Sequence, residues 1–283
     1  MFSPKEVAER YVDIGINKAR LKISKMFVLG ILAGMFIACG AVASNTASSV
    51  ITNASAAKII AGAVFPVGLL MVLVAGSELF TGNCLMIIPV LEKKIKIRQM
   101  LKNWITVYIG NFVGAVIVAL IAYYSGQLDL FDGALAVTTI KTAAAKCSLS
   151  FGKAVLLGIM CNFLVCIAVW NSFAADDVAG KAVGLFLPIF AFVISGFEHS
   201  IANMYYIPAG LLAASNSDYY AAASETVTNI SNLSIENFFF HNLIPVTIGN
   251  IIGGMILVGC SYWFVYLKKD KRMKGKGGKT KKK

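Results

Sequence analysis

The sequence is short of charge, of histidine and of compact catalytic motifs, and each shortage removes a class of function. Only 14% of its 283 residues are Asp, Glu, Lys or Arg, whereas 58% are apolar. Mean hydropathy is +0.74. A water-soluble domain of this size does not have that balance. There are two histidines, His199 and His241, and no HExxH or similar cluster, so a metal site has little to be built from. A P-loop, a dinucleotide glycine fingerprint and a nucleophile elbow are all missing, which argues against an enzyme and against a bound cofactor. Six cysteines (Cys39, Cys84, Cys147, Cys161, Cys166, Cys260) mostly fall inside apolar segments without any Cys-x-x-Cys spacing. They read as reduced core residues, not as a disulfide or metal framework.

What the sequence does have is long runs free of charge. Residues 26–44, 103–124, 154–175 and 243–267 contain no Asp, Glu, Lys, Arg or His, and each is about as long as a bilayer crossing requires, roughly 20 residues. Two further runs, 59–77 and 182–197, stop at Glu78 and Glu198, yet apolar sequence resumes after each acid. These are expected to be interrupted helices. The expectation is therefore an all-α membrane protein with six transmembrane helices, the second and fifth broken.

Residues 1–25 are amphipathic and of mixed charge, with no short apolar stretch leading to a small-residue cleavage site, and are expected to lie along the inner membrane surface. Residues 26–267 form the membrane domain and 268–283 a Lys-rich solvated tail, not a nucleic-acid arm. Lys and Arg collect on the cytoplasmic side of membrane proteins. The N-terminal segment holds six, the loop after the second crossing five, the loop after the fourth one and the tail ten. The opposite side has four: Lys58, Lys141, Lys146 and Lys153. Both termini are expected in the cytoplasm, with the protein in a bacterial inner membrane.

The two interrupted segments repeat one another. Gly76, Glu78 and Asn83 recur 120 positions later as Gly196, Glu198 and Asn203. Ile109, Gly110, Asn111 and Gly114 of the third crossing recur in the sixth as Ile248, Gly249, Asn250 and Gly253. With three crossings in each half, the second copy enters from the opposite side, so the repeat is inverted. Inverted repeats with discontinuous helices place a translocation site near the midplane, where freed backbone groups face a cavity instead of lipid.

Three stretches then carry a resemblance: residues 73–82 (LVAGSELFTG), 158–168 (GIMCNFLVCIA) and 196–208 (GFEHSIANMYYIP). The chain resembles the formate/nitrite transporters, a family that also includes hydrosulfide channels. Ile167 stands where Leu or Val is expected. The resemblance implies an aquaporin-like protomer in a homopentamer, each protomer with its own pore. It implies that Thr81 and His199 face each other in a central chamber and that Lys146, in the outer loop before the fourth crossing, stands near the pore entrance. Asn162, within the second signature, joins them as a pore residue. Phe65, Leu69, Leu79, Phe80, Val165 and Phe192 would form apolar constrictions above and below the chamber. The block around His199 is closer to formate-type members, which favours formate or hydrosulfide over nitrite.

The chemistry of these positions supports a path for a small weak-acid anion without the family. A bare monovalent ion in an apolar slit carries an idealised desolvation penalty of order 20 kcal/mol, and several even after relaxation. A proton lent at the midplane would turn the anion into a neutral acid, and His199, at the start of a half-helix, is the expected lender. Thr81 can hydrogen-bond the imidazole or the substrate. Lys146 is expected to concentrate anions at the outer mouth, an effect that salt would weaken. Glu78 and Glu198 read as supports that accept backbone N–H bonds from the broken loops; Asn83, Asn203, Asn111 and Asn250 read as caps or packing residues. The glycines of the third and sixth crossings read as close helix contacts, and His241 as an interfacial residue. The alternative function is an aquaporin-like pore for neutral solutes.

Overall fold

The computed structural model describes residues 1–268, and those residues are helical with short connections. The expected tail, 268–283, therefore lies outside the described residues except for Lys268. Among the described residues five helices are long and apolar enough to cross a membrane: Ile23–Ser48, Ala54–Val74, Ile97–Tyr124, Phe151–Ala174 and Ile235–Tyr266. Two shorter apolar helices, Phe80–Leu91 and Val178–Ile194, complete the set.

In chain order, α1 (Pro4–Arg20) precedes α2 (Ile23–Ser48), and α3 (Ala54–Val64) meets α4 (Pro66–Val74) at Phe65. After a break come α5 (Phe80–Asn83), one tight turn and α6 (Ile87–Leu91), followed by α7 (Ile97–Tyr124). The second half begins with α8 (Ala134–Cys147) and α9 (Phe151–Ala174). Then come α10 (Val178–Ile194), a second break, α11 (Ser200–Ala214), α12 (Ser217–Ser224) and the last helix, Ile235–Tyr266.

The amphipathic N-terminal helix packs one face into the core and leaves its charged face exposed. Ser3 caps α1, its hydroxyl accepting the Glu6 N–H while the Glu6 carboxylate accepts the Ser3 N–H at 2.7 Å. Val7, Ala8, Tyr11, Gly15 and Ala19 make one buried stripe along α1. Tyr11 reaches furthest, donating to the Gly82 carbonyl at 3.1 Å.

Small residues let the long helices touch backbone to backbone, as expected. A Cβ on Gly110 of α7 would stand 2.7 Å from the Phe27 carbonyl oxygen of α2. A Cβ on Gly158 of α9 would stand 2.7 Å from the Val246 carbonyl oxygen in the last helix. The counterpart of the second contact in the first half is a Cβ on Gly30 at 3.1 Å from the Val107 carbonyl oxygen, so α2 with α7 repeats as α9 with the last helix.

Candidate functional site at the two helix breaks

Each break starts with a glycine in the left-handed region, Gly76 at φ 76° and Gly196 at φ 71°. That conformation ends a helix and is open to glycine without steric cost. The chain then runs extended for a few residues and restarts as α5 or α11. Interrupting a helix inside an apolar core frees backbone N–H and C=O groups that must find partners there.

Two asparagines supply those partners in matching fashion. Asn111 Oδ1 accepts the Phe80 N–H at 3.0 Å, and its Nδ2 donates to the Gly30 and Glu78 carbonyls at 2.8 and 3.0 Å. Asn250 Oδ1 accepts the Ser200 N–H at 2.9 Å, and its Nδ2 donates to the Gly158 and Glu198 carbonyls at 2.8 and 3.0 Å. The Glu78 and Glu198 N–H groups donate across to Leu29 and Leu157. Asn111 and Asn250, read as caps or packing residues, accept the first N–H of α5 and α11 and in doing so clasp three segments at once.

Among the described residues the Glu78 and Glu198 side chains accept no backbone N–H bond, which corrects the expectation for them. Glu78 accepts Lys18 Nζ at 2.7 Å, Asn83 Nδ2 at 2.7 Å and Asn103 Nδ2 at 3.3 Å. Glu198 accepts Lys146 Nζ at 2.8 Å, Asn203 Nδ2 at 2.6 Å and Asn242 Nδ2 at 3.1 Å. Their carbonyls are taken by Asn111 and Asn250 and their N–H groups by Leu29 and Leu157, leaving each carboxylate to a lysine and two amides. Buried charge is tolerable in that form, paired and hydrogen-bonded.

Lys146 is likewise not in a loop. It occupies the last turn of α8, mostly buried, and its charge is matched by Glu198. Lys18 at the end of α1 is its counterpart, so α1 and α8 play equivalent parts. Lys18, Asn103 and Asn242 escaped the sequence reading. Extending the repeat would have found them: Asn103 and Asn242 have the spacing of Asn111 and Asn250, and Lys18 and Lys146 that of Gly30 and Gly158.

Within this duplicated frame the reactive side chains are not duplicated. At the 120-residue offset His199 matches Leu79, and Thr81 matches Ile201. The fold brings the odd members together: Thr81 Oγ1 lies 3.0 Å from His199 Nε2, both buried. His199 also caps α11, its Nδ1 accepting the Ala202 N–H at 3.1 Å. A backbone amide can only donate, so the neutral ring carries its proton on Nε2 and donates it to Thr81.

Asn162 and Cys166 of α9 brace this contact from behind. Asn162 Nδ2 donates to the Thr81 carbonyl at 3.2 Å and to the Asn250 carbonyl at 2.6 Å, so its amide serves the backbone. Val165 is buried on the same helix. Phe192 stands 6.1 Å, centroid to centroid, from the His199 ring, and Phe65 meets Phe192 edge-on at 5.5 Å. Leu69 and Leu79 line a small cavity of about 30 Å³ together with Lys18, Tyr11, Gly82 and Val169. Phe80 turns instead toward α7, its ring against Trp104 and Tyr108. Among the described residues no group of three or more His, Cys, Asp or Glu side chains could hold a metal. All six cysteines are free thiols.

Comparison with known proteins assigns the frame. Residues 5–264 match the family described as Formate/nitrite transporter. The chain is 40% identical to the probable formate transporter of Methanothermobacter thermautotrophicus, over 94% of this chain and 97% of that protein. It is 39% identical to the formate channel FocA of Escherichia coli (strain K12), covering 94% and 95% of the two. Among solved structures it is similar to a pentameric formate channel with formate bound, with TM-score 0.78 and 35% identity over 87% of this chain and 98% of that one. A second, an FNT family ion channel, gives TM-score 0.79 at 26% identity, over 92% and 98%. With its apolar helices, duplicated breaks and near full-length match, the chain is a multi-pass membrane protein and belongs to the formate/nitrite transporter family.

Proposed function

We propose that the protein passes a small monovalent weak-acid anion, formate or hydrosulfide before nitrite, through a pore in each protomer of a homopentamer. The reading includes six crossings in two inverted halves, an aquaporin-like protomer and both termini in the cytoplasm of a bacterial inner membrane. The observation that carries it is the Thr81–His199 contact at 3.0 Å, made where two helix breaks meet. Relatives named as formate channels, and a similar solved structure of a pentameric formate channel with formate bound, support the substrate and the assembly.

The geometry sets terms for a proton loan. An anion displacing Thr81 accepts the hydrogen bond from Nε2–H. A neutral ring cannot part with that proton without becoming an imidazolate, so formation of the neutral acid requires the doubly protonated ring. The second proton enters at Nδ1, at the expense of the Ala202 bond. The Nε2 proton then passes to the anion's oxygen, or to sulfur in hydrosulfide, and the ring returns to neutral with its proton on Nδ1. Phe65, Phe192, Leu69 and Leu79, with Phe80 and Val165 behind them, form the apolar constrictions that make this neutralisation worthwhile, while Asn162 holds the Thr81 segment in place.

The test is solute flux into proteoliposomes with formate, nitrite and hydrosulfide, comparing the unaltered protein with His199→Ala across pH. Selective uptake of one weak acid, lost or altered in its pH profile in the variant, is expected. Equal flux of neutral solutes, indifferent to His199, would establish the neutral-pore alternative instead.

A further inference from the structure

Among the described residues, the turn between α6 and α7 carries cations without a counter-ion. Residues 92–102 include Lys93, Lys94, Lys96, Arg98 and Lys102 but a single acid, Glu92. That acid is engaged elsewhere, its Oε1 accepting the Trp263 indole N–H at 2.7 Å. Among the described residues, Lys93, Lys94, Lys96 and Arg98 make no ion pair.

The turn is a shaped feature of the fold. The Lys93 and Lys94 N–H groups donate to the Val90 and Pro89 carbonyls at 2.9 Å, and Lys93 is held at φ 59°, a left-handed value that strains a residue bearing a Cβ. An open cavity of about 520 Å³ results, lined by Val90, Lys93, Lys94, Lys96, Ile97 and Gln99. From its rim an apolar stripe runs along α7. Ile97, Leu101, Ile105 and Ile109 recur every four residues, so they share one helix face, and all four are exposed.

A cationic cup at the mouth of an apolar stripe matches the two ends of a lipid. We propose that this turn binds the phosphate headgroup of an anionic phospholipid, with an acyl chain lying against Ile97, Leu101, Ile105 and Ile109. A free phosphate ion would account for the lysines but would leave the stripe uncovered. The inference rests on the membrane-spanning character of the protein and not on which solute it passes.

Thermal unfolding of the full-length, delipidated protein tests it, with phosphatidylglycerol, phosphatidylcholine or inorganic phosphate added. Phosphatidylglycerol is expected to raise Tm where the other two do not. Substitution K93Q/K94Q/K96Q should raise the lipid concentration needed for that protection by on the order of fivefold per lysine. Equal protection of the variant, or equal protection by inorganic phosphate, would overturn the proposal. If the triple variant does not fold, Leu101→Trp provides a second reading. Its fluorescence should be quenched at least twofold more by brominated phosphatidylglycerol than by brominated phosphatidylcholine. Equal quenching would overturn the headgroup preference, and no quenching by either would assign the stripe to a contact between copies of the chain. Formate flux in phosphatidylcholine vesicles is expected to survive K93Q/K94Q/K96Q, so a failure of transport and a failure of lipid binding are separately visible.

Discussion

Each buried glutamate at a break faces one lysine, in pairs closed at 2.7 Å (Lys18–Glu78) and 2.8 Å (Lys146–Glu198). Removing one partner leaves the other charge uncompensated, a loss of about 3–5 kcal/mol, whereas removing both can be nearly neutral. Lys18→Met should therefore lower Tm sharply, and adding Glu78→Gln should restore much of it. A double-mutant cycle measures this, and strictly additive losses would show that the two side chains act independently. The same pairing revises the expectation for Lys146. Its charge is already spent on Glu198, so it adds little field at the mouth. Lys146→Glu would press two carboxylates together, and flux is expected to fall equally at low and high ionic strength. Lys146→Gln with Glu198→Gln should recover it; recovery of Lys146→Glu by salt alone would return the residue to a steering role.

At the scale of elements, the breaks and the helix contacts use glycine for different reasons, and substitutions separate them. A Cβ on Gly76 would meet no atom within 4 Å, so Gly76→Ala is opposed only by the left-handed backbone, at about 1–2 kcal/mol. Gly110 has an ordinary helical backbone, but its added Cβ would stand 2.7 Å from the Phe27 carbonyl and 3.0 Å from Gly30 Cα. Backbone cannot step aside as a side chain can, so Gly110→Val must push α2 from α7. Thermal unfolding should show a modest loss for Gly76→Ala and a far larger one for Gly110→Val. The reverse order would mean that the breaks, not the helix contacts, limit stability.

For the whole molecule, the asymmetry of positive charge predicts the sidedness of every connection. In a background lacking Cys39, a cysteine at Lys94 should react with a membrane-impermeant maleimide only after intact cells are opened, and one at Ser217 before. Both side chains are exposed, so access and not burial decides the outcome. Labelling of both from one side would rule out the inverted arrangement of the halves.

Composition, the lengths of the charge-free runs and the 120-residue repeat were sufficient, by themselves, to determine the helical membrane class and the positions of both breaks, while the candidate pair Thr81 and His199 followed from the resemblance of three short stretches to the formate/nitrite transporters. Those features are local or periodic, and a bilayer makes them legible because it enforces helix length and charge placement. What only the tertiary structure decided is which groups face one another. Lys18 meets Glu78 across 60 positions and Lys146 meets Glu198 across 52; Asn162 braces Thr81 from 81 positions away. The tautomer of His199 was also beyond the sequence, because it depends on the Ala202 N–H that its ring happens to cap. Hydrogen bonds and ion pairs act over about 3 Å, so they exist only once packing has brought distant segments together.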